Sequence, residues 1–345
     1  MTFVNRGKNN GNFFVHALTR HKNNKMNNNL SHFSLYGRSP LTQLYTSVLI
    51  ILLSGMVIFY LLFLAGAQVF GVDPGNLPDN LLNGTVNGNT GFLRYLVISQ
   101  TISFFIVPAI IIFILLKPAA HVGSLDLKWP LISEVALVVL LAFCTFPVTS
   151  FTGELNSVIH FPGWLSGVEQ WMIEKENNAD SMIGKLIVSD TFWIMMLNLL
   201  SIAVLPAIGE ELIFRGIFQK ILYRFFKSGH PSIWITAFLF SALHFQFFGF
   251  LPRFILGLVF GYLFFWSRTL WLPVIAHLIN NAAAVIQVYY KGTDYMNSQT
   301  DINLWKQLVI LPVPLITGGL ILWYFRKKSK INTTTELNKP GINNT

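Results

Sequence analysis

The sequence has few charged residues. Asp, Glu, Lys and Arg make up only 11% of its 345 residues, whereas an ordinary soluble domain carries about 25%. So few charges cannot cover a water-facing surface, which excludes a soluble enzyme, a disordered protein and a free nucleic-acid binder. Apolar residues make up 53% and the mean hydropathy is +0.54. This composition predicts an all-α polytopic membrane bundle of about eight transmembrane helices, whose partners include membrane lipids and no nucleic acid.

Several chemical signatures are also missing. The single cysteine, Cys144, lies in an apolar run, which excludes a disulfide framework and argues against a cysteine-based metal site. No His-Glu-x-x-His, Gly-x-Ser-x-Gly or Gly-x-Gly-Asp motif occurs, and neither does a glycine-rich nucleotide loop. No cleavable signal peptide is visible, and the apolar run near residues 42–66 is long enough to be a retained membrane helix.

Polar tails flank the apolar part of the chain. Residues 1–40 are rich in Asn and basic residues and contain no acid, which predicts a disordered cytoplasmic tail, with binding to anionic headgroups as a second role. Residues 41–326 form the predicted bundle, with the functional core at 188–290. Residues 327–345 form a second basic cytoplasmic tail.

Eight apolar stretches are long enough to be membrane spans, at about 20 residues each. The fourth is expected to continue as a helix through residue 226, because no Pro or turn cluster interrupts it. The eight predicted spans are residues 42–66, 94–116, 131–150, 188–208, 231–249, 251–267, 270–290 and 307–325.

The basic residues are unevenly divided between the two sides of this arrangement. With the N-terminus inside, 17 of the 24 Lys and Arg residues fall on the inner side and six on the outer side, Arg215 lying within a span. This bias predicts a cell-membrane protein with both termini cytoplasmic and with outer loops 67–93, 151–187 and 291–306. The second loop has helical apolar spacing. A helix on the outer membrane surface and a loop helix packed on the bundle are equally compatible with that spacing.

Ionisable residues inside spans are expensive and therefore need a reason. Glu211 and Arg215 lie at i and i+4 on one helix face, where each neutralises the other. Glu210 points about 100° further round the helix and has no local cation. Glu210 is therefore the predicted general base and Glu211 the structural acid. The alternative is that both acids serve packing or an ion path.

Three further polar residues lie in later spans. His244 follows Phe240 by one helical turn, while His277 and Asn281 lie at i and i+4, so both could donate hydrogen bonds toward one point. A developing oxyanion needs such donors. The alternatives are interhelical hydrogen bonding for His244 and helix association through polar side chains for His277 and Asn281. Asn280 is turned away and is the weaker candidate.

The ordered pattern Glu210-Glu211-x-x-x-Arg215, Phe240-x-x-x-His244 and His277-x-x-x-Asn281 resembles the CAAX protease and bacteriocin-processing (CPBP) family of intramembrane endopeptidases. Each motif alone is weak, but three in order, each within a span, are specific. Flanking residues agree with the resemblance, which covers roughly residues 190–290. They are Pro206, Phe214, Gly216, Gly257 and Gly261.

The resemblance implies an endopeptidase in which Glu210 and His244 activate a water and His277 and Asn281 form the oxyanion hole. Glu211 and Arg215 would support the site. No cofactor is needed in this interpretation. A zinc-dependent version would use Glu210, His244 and His277 as ligands, and the residue types permit it.

The substrate implied by the resemblance is a peptide or protein, membrane-embedded or lipidated. Eukaryotic relatives remove three residues from prenylated Cys termini, whereas others act in bacteriocin immunity or maturation, or as regulators. A non-enzymatic transporter or scaffold is the competing interpretation of the same polar cluster. Transporters often contain internal repeats, and the sequence shows none.

Overall fold

The computed structural model describes residues 34–35, 37–73, 90–116, 126–159, 161–189, 191–292 and 304–337. Most of the predicted N-terminal tail, residues 74–89 and 293–303 of the predicted outer loops, and residues 338–345 of the C-terminal tail lie outside the described residues. Within the described part, the chain forms helices, turns and connecting segments, with no strand. The predicted all-α fold is confirmed.

Ten helices are used below. Two are interrupted by π-helical stretches: α2 at Ile102–Ile106, and α5 at Leu199–Val204 and at Leu212–Gln219. The helices are α1 Pro40–Phe70, α2 Thr90–Leu116, α3 Ile132–Ser157, α4 Ser166–Ile187, α5 Phe192–Phe226, α6 Gly229–Ala242, α7 Phe250–Ser267, α8 Trp271–Lys291, α9 Leu304–Ile310 and α10 Pro312–Leu337.

In the described part of the chain, seven stretches are long and apolar enough to cross a membrane. They are helices α1, α2, α3, α5, α7 and α8, together with Gln307–Ile331 of α9 and α10. The chain is therefore a multi-pass membrane protein, as predicted, and α5 continues through residue 226 as expected. The fifth predicted span, residues 231–249, differs from the prediction. Its helix, α6, has 14 residues and ends at Ala242, because the chain turns over residues 243–249.

Helix α6 is short, but it reverses the chain direction as a span would. It runs antiparallel to α7, since Ile233 lies opposite Gly261 and Ala237 lies opposite Gly257. A Cβ on Gly257 would come within 3.0 Å of Ala237, so the two backbones approach as closely as small residues permit. This close contact fixes the position of the turn over residues 243–249, which carries His244.

Four buried apolar clusters are present among the described residues, and the two largest join most of the helices. One joins α2, α5 and α6 through residues such as Ile112, Ile217 and Phe240, and the other joins α3, α7, α8 and α10 through residues such as Val138 and Phe260. The outer faces are also apolar: α1 exposes a long series of large side chains between Leu41 and Val69. Apolar residues on both faces of a helix are typical of a lipid-embedded bundle.

Helix α4 is the only described helix of more than 20 residues outside the candidate spans. It packs against α2, α5 and α8, and buries Glu176, Leu186 and Ile187. Trp171 is 45% exposed, yet its ring lies 5.3 Å from the ring of Phe247. Of the two interpretations of the second outer loop, packing on the bundle is what the structure shows.

Candidate active site

The centre of the site is a fully buried ion pair within α5. Arg215 Nη1 lies 2.7 Å from Glu211 Oε1, and both side chains are completely shielded from solvent. Arg215 also donates from Nη2 to the carbonyl oxygen of Gly257 at 3.0 Å. Its guanidinium carbon lies 4.8 Å from the ring centre of Phe240 and 5.4 Å from that of Phe260. An apolar bundle can hold this cation because a carboxylate, a carbonyl and two aromatic faces surround it.

His277 of α8 binds the same carboxylate oxygen. Its Nδ1 lies 3.0 Å from Glu211 Oε1. Because an ionised carboxylate only accepts hydrogen bonds, Nδ1 must carry the proton of this bond. The ring stacks on Phe260 at 5.3 Å and meets Phe240 edge-on at 5.7 Å, so its orientation is fixed. The second nitrogen, Nε2, is thereby directed toward Glu210 Oε2 at 3.9 Å.

Glu210 has a different environment from its neighbour Glu211. Its side chain is 12% exposed. Its Oε2 atom is buried and has no hydrogen-bond partner among the described residues. Glu210 also lies close enough to His244 and Arg253 to interact electrostatically with both. Oε1 of Glu211 is thus bound by Arg215 and His277, whereas its Oε2 is buried without a partner among the described residues; Glu210 has no arginine bound to it, and its Oε2 faces His277 Nε2.

His244 lies just beyond the C-terminal end of α6. Its Nδ1 is 2.7 Å from the carbonyl oxygen of Phe240. A carbonyl oxygen can only accept, so Nδ1 donates and Nε2 is left with its lone pair. The ring packs edge-on against the ring of Phe240 at 5.2 Å. The one-turn spacing of Phe240 and His244 therefore sets the tautomer through the backbone and the ring orientation through the side chain.

Phe240 connects most of the cluster. Its ring, 3% exposed, contacts the guanidinium of Arg215, the imidazoles of His244 and His277, and Phe214 edge-on at 5.2 Å. From the sequence, Phe240 is only the residue one turn before His244. Its ring contacts two histidines and an arginine only because three helices pack together at this point. The sequence does not predict that packing.

Asn281 is oriented by the backbone of α5. Its Nδ2 donates to the carbonyl oxygen of Ile202 at 3.3 Å. In a regular helix that carbonyl would accept from residue 206, but Pro206 has no N–H to donate. The π-helical stretch of α5 lies at this same point. Asn281 therefore compensates for a local defect in α5, and its second amide hydrogen is left for another acceptor.

The glycines of α7 provide carbonyl acceptors as well as space. Gly257 accepts from Arg215, and Gly261 accepts from Gln219 Nε2 at 3.0 Å, so two consecutive turns of α5 are bound to two consecutive turns of α7. A Cβ on Gly261 would come within 2.8 Å of Ile233. Larger residues at these positions would separate α6 from α7 and displace the acceptor of Arg215.

The structure thus places Glu210, Glu211, Arg215, His244 and His277 in one connected cluster, with Asn281 one turn beyond His277. Among the described residues, no three His, Cys, Asp or Glu side chains are grouped so that they could hold a metal ion. In the cluster, His277 donates from Nδ1 to Glu211 and His244 donates from Nδ1 to the Phe240 carbonyl, so each ring keeps Nε2 for another partner.

Comparison with known proteins agrees with the resemblance predicted from the motifs. Residues 191–283 match the family model described as type II CAAX prenyl endopeptidase Rce1-like. The chain is also 26% identical over 98 residues to an uncharacterised protein of Bacillus subtilis (strain 168), YpbD. That alignment covers 27% of this chain and 47% of YpbD. No solved structure matches the chain. The matched segment contains all six residues of the predicted site.

Proposed function

We propose that this chain is an intramembrane endopeptidase, which hydrolyses a peptide bond with a water activated by Glu210 and His244. The observation that supports it most is the difference between two adjacent glutamates. Glu211 is neutralised by Arg215 and bound by His277 through Oε1. Oε2 of Glu211 and Oε2 of Glu210 are both buried without a hydrogen-bond partner among the described residues, but Glu210 has no arginine bound to it. Glu210 is therefore the acid of the pair that is not already committed to Arg215 and His277.

The two acceptors suit the activation of one water. His244 Nε2 has a lone pair because Nδ1 donates to the Phe240 carbonyl. Glu210 has an unpaired carboxylate oxygen. A water between them would donate one proton to each, leaving its oxygen directed at a substrate carbonyl carbon. As the oxygen attacks, Glu210 takes one proton and the carbonyl becomes a tetrahedral oxyanion.

His277 and Asn281 are the proposed donors to that oxyanion. His277 can donate from Nε2 only as an imidazolium, since its Nδ1 proton is already bound to Glu211. Such a cation is compatible with the cluster, because the two negative charges of Glu210 and Glu211 then balance the two positive charges of Arg215 and His277. Once Glu210 takes the proton of the water, the cluster has a net charge of +1 at the moment the substrate gains its negative charge. Asn281 adds its second amide hydrogen.

The reaction then needs only a return of the proton. Glu210 gives its proton to the leaving amide nitrogen as the C–N bond breaks and the oxyanion collapses. The products are a carboxylic acid and an amine, and no oxidant or cofactor enters the balance. The proposed mechanism routes no step through zinc, because Glu210, His244 and the two oxyanion donors complete the hydrolysis without it.

The proposed substrate is a peptide or protein segment that enters the membrane, including one carrying a lipid. The description of the matching family names a prenyl endopeptidase, and the bundle presents apolar surfaces on its outer faces that a lipid chain could contact. The proposed location is the cell membrane, with both termini cytoplasmic, on the basis of the bias in basic residues and of the antiparallel α6 and α7.

The proposal can be tested with purified protein in lipid nanodiscs and a library of fluorogenic peptides, in which each sequence is present with and without a farnesylated cysteine. The wild type should cleave a subset, and Glu210→Gln should not. Glu154→Gln is a matched control, because Glu154 also has a buried, unpartnered carboxylate oxygen but binds Gln307, away from the cluster.

Equal cleavage by wild type and Glu210→Gln would contradict the proposal. Metal dependence is tested on the same samples by chelation and elemental analysis. Activity that survives strong chelators is expected. About one zinc per chain in active protein, lost together with activity on chelation and restored by zinc, would replace the metal-free mechanism with a zinc-dependent one.

A further inference from the structure

The segment that carries His244 adopts an unfavourable backbone conformation. Phe245, the next residue, has φ of +52°, in the left-handed region. A bulky side chain is disfavoured in that region, so the conformation persists only where surrounding contacts impose it. Because Phe245 directly follows His244, the contacts that hold this segment also determine where the imidazole points.

Arg253 makes the most specific of those contacts. From the first turn of α7, its Nη1 donates to the backbone carbonyl of Gln246 at 3.0 Å, and its Nη2 donates to the Gln246 side-chain oxygen at 2.6 Å. A planar guanidinium can hold both acceptors at once. Gly249 leaves room for it, because a Cβ there would overlap the guanidinium and displace it from this position. The segment is thus tied to α7 two residues after His244.

Two neighbouring helices complete this hold. Asn156, at the end of α3, donates from Nδ2 to the Phe247 carbonyl at 2.6 Å. Glu176, from the extramembrane helix α4, accepts the backbone N–H of Phe248 at 3.3 Å. Glu176 and Asp180 also interact electrostatically with Arg253, as does Glu210. The cation therefore interacts both with the acids of α4 and with the proposed base.

We propose that Arg253 is a positioning residue of the peptidase, which fixes the His244 segment against Glu210, and that α4 supports this hold from outside the membrane spans through Glu176. The proposal rests on the proposed function for its kinetic consequence. Arg253 is not required to contact substrate. It acts through the Gln246 bonds, which set the direction of His244, and through its charge beside Glu210.

The test compares Arg253→Gln with Arg224→Gln. Arg224 is a matched control, since it also binds a glutamine side chain, Gln43, at 2.8 Å, but at the far end of α5. In Arg253→Gln, kcat should fall by about 10- to 100-fold through misplacement of His244, with KM changed by less than about threefold. Arg253→Lys should recover only part of kcat, because an ammonium keeps the positive charge but lacks the planar pair of N–H donors that binds both Gln246 oxygens. Arg224→Gln should leave both constants unchanged.

A second readout does not depend on activity. Hydrogen–deuterium exchange of residues 243–249 should be about tenfold faster in Arg253→Gln, and unchanged in Arg224→Gln. Glu176→Gln should accelerate exchange at the Phe248 amide in particular. If Arg253→Gln does not fold, Gln246→Ala removes the bond from Nη2 to the side-chain oxygen and keeps the bond from Nη1 to the backbone carbonyl, so it should accelerate exchange over residues 243–249 by more than about twofold but by less than Arg253→Gln.

The two proposals fail differently. A wild type that cleaves no peptide overturns the proposed function, while the exchange measurement still decides whether Arg253 orders the segment. The positioning role would be overturned if a folded Arg253→Gln or Gln246→Ala variant kept both quantities within about twofold of the wild type. These quantities are the exchange rate over residues 243–249 and kcat.

Discussion

His277 Nδ1 and Arg215 Nη1 bind the same oxygen of Glu211, at 3.0 Å and 2.7 Å. This single oxygen joins α8 to α5 in the middle of the bundle and distinguishes Glu211 from its sequence neighbour. The bond to Glu211 uses the Nδ1 proton, and the other nitrogen of His277, Nε2, faces Glu210 Oε2 at 3.9 Å. The proposed assignment of Glu211 to structure and of Glu210 to chemistry rests on this relationship.

The adjacent glutamates should therefore respond differently to the same substitution. Glu210→Gln should lower kcat by about 10²–10⁴, the range for loss of a general base, with little change in thermal stability. Glu211→Gln should lower stability as well, because it leaves Arg215 buried without its counter-ion. Thermal unfolding monitored beside peptide cleavage separates the two effects. Equal losses of stability in both variants would contradict the division of roles.

Arg215→Ala should unfold or severely destabilise the protein. Removing one member of a buried ion pair costs about 3–5 kcal/mol, and here it also releases Gly257 and two aromatic faces. Membrane yield and thermal midpoint in mild detergent are the measurements. The matched control is the double variant Glu211→Gln/Arg215→Met, which removes both charges and should be less destabilised than Arg215→Ala. Normal yield and stability of Arg215→Ala would count against the pairing.

Much of this cluster is predictable from the sequence because its partners lie one helical turn apart. The Glu211–Arg215 pair, the relation of His244 to Phe240, and the shared face of His277 and Asn281 all follow from helical spacing. The continuation of the fourth span through residue 226 also follows, since nothing in the sequence ends that helix.

The remaining features depend on contacts between helices, which spacing does not encode. A residue count suggests a full fifth span, whereas α6 ends at Ala242 because the chain turns between α6 and α7. The charge pattern treats Arg253 only as an outer basic residue, whereas it binds Gln246 from the first turn of α7. The Asn281 bond to Ile202 depends on a carbonyl that Pro206 leaves without its usual donor.

His277→Ala and Asn281→Ala should each lower kcat by about 10²–10³ through loss of a donor to the oxyanion. Their structural consequences should differ, because His277 also binds Glu211, whereas Asn281 binds one backbone carbonyl. Asn281→Ala is thus the cleaner test, with Asn280→Ala as the neighbouring control. If purified Asn281→Ala cleaved peptide with a steady-state kcat within about threefold of the wild type, Asn281 would not be a donor of the oxyanion hole.

The proposed topology places α4 outside the cell and both termini in the cytoplasm. Six basic residues lie on the proposed outer side against 17 on the inner side, and an excess of Lys and Arg marks the cytoplasmic side. A reporter active only outside the cytoplasm should therefore be active when fused after residue 170 and inactive when fused after residue 345. The opposite pattern would reverse the orientation. Activity at both sites would show that the termini do not share one side.

The contact between α4 and the His244 segment should make stability depend on pH. Burial raises the pKa of the Glu176 carboxyl, an effect increased by Asp180 and opposed by Arg253 and by the N–H groups of Phe247 and Phe248. The folded protein therefore binds a proton at pH values where the unfolded chain has lost it. Since stability falls with pH wherever the folded state binds more protons, the free energy of unfolding should decrease as pH rises above about 4, through the raised pKa.

Glu176→Gln should remove this part of the pH dependence. The neutral amide cannot ionise, so its thermal midpoint should vary less with pH than that of the wild type between about pH 4 and pH 7. Glu174→Gln is the matched control, because Glu174 is exposed on the same helix and should leave the wild-type slope intact. The measurement is thermal unfolding of purified protein over a pH series. A slope in Glu176→Gln equal to that of Glu174→Gln would show that the buried carboxyl of α4 does not carry the linkage.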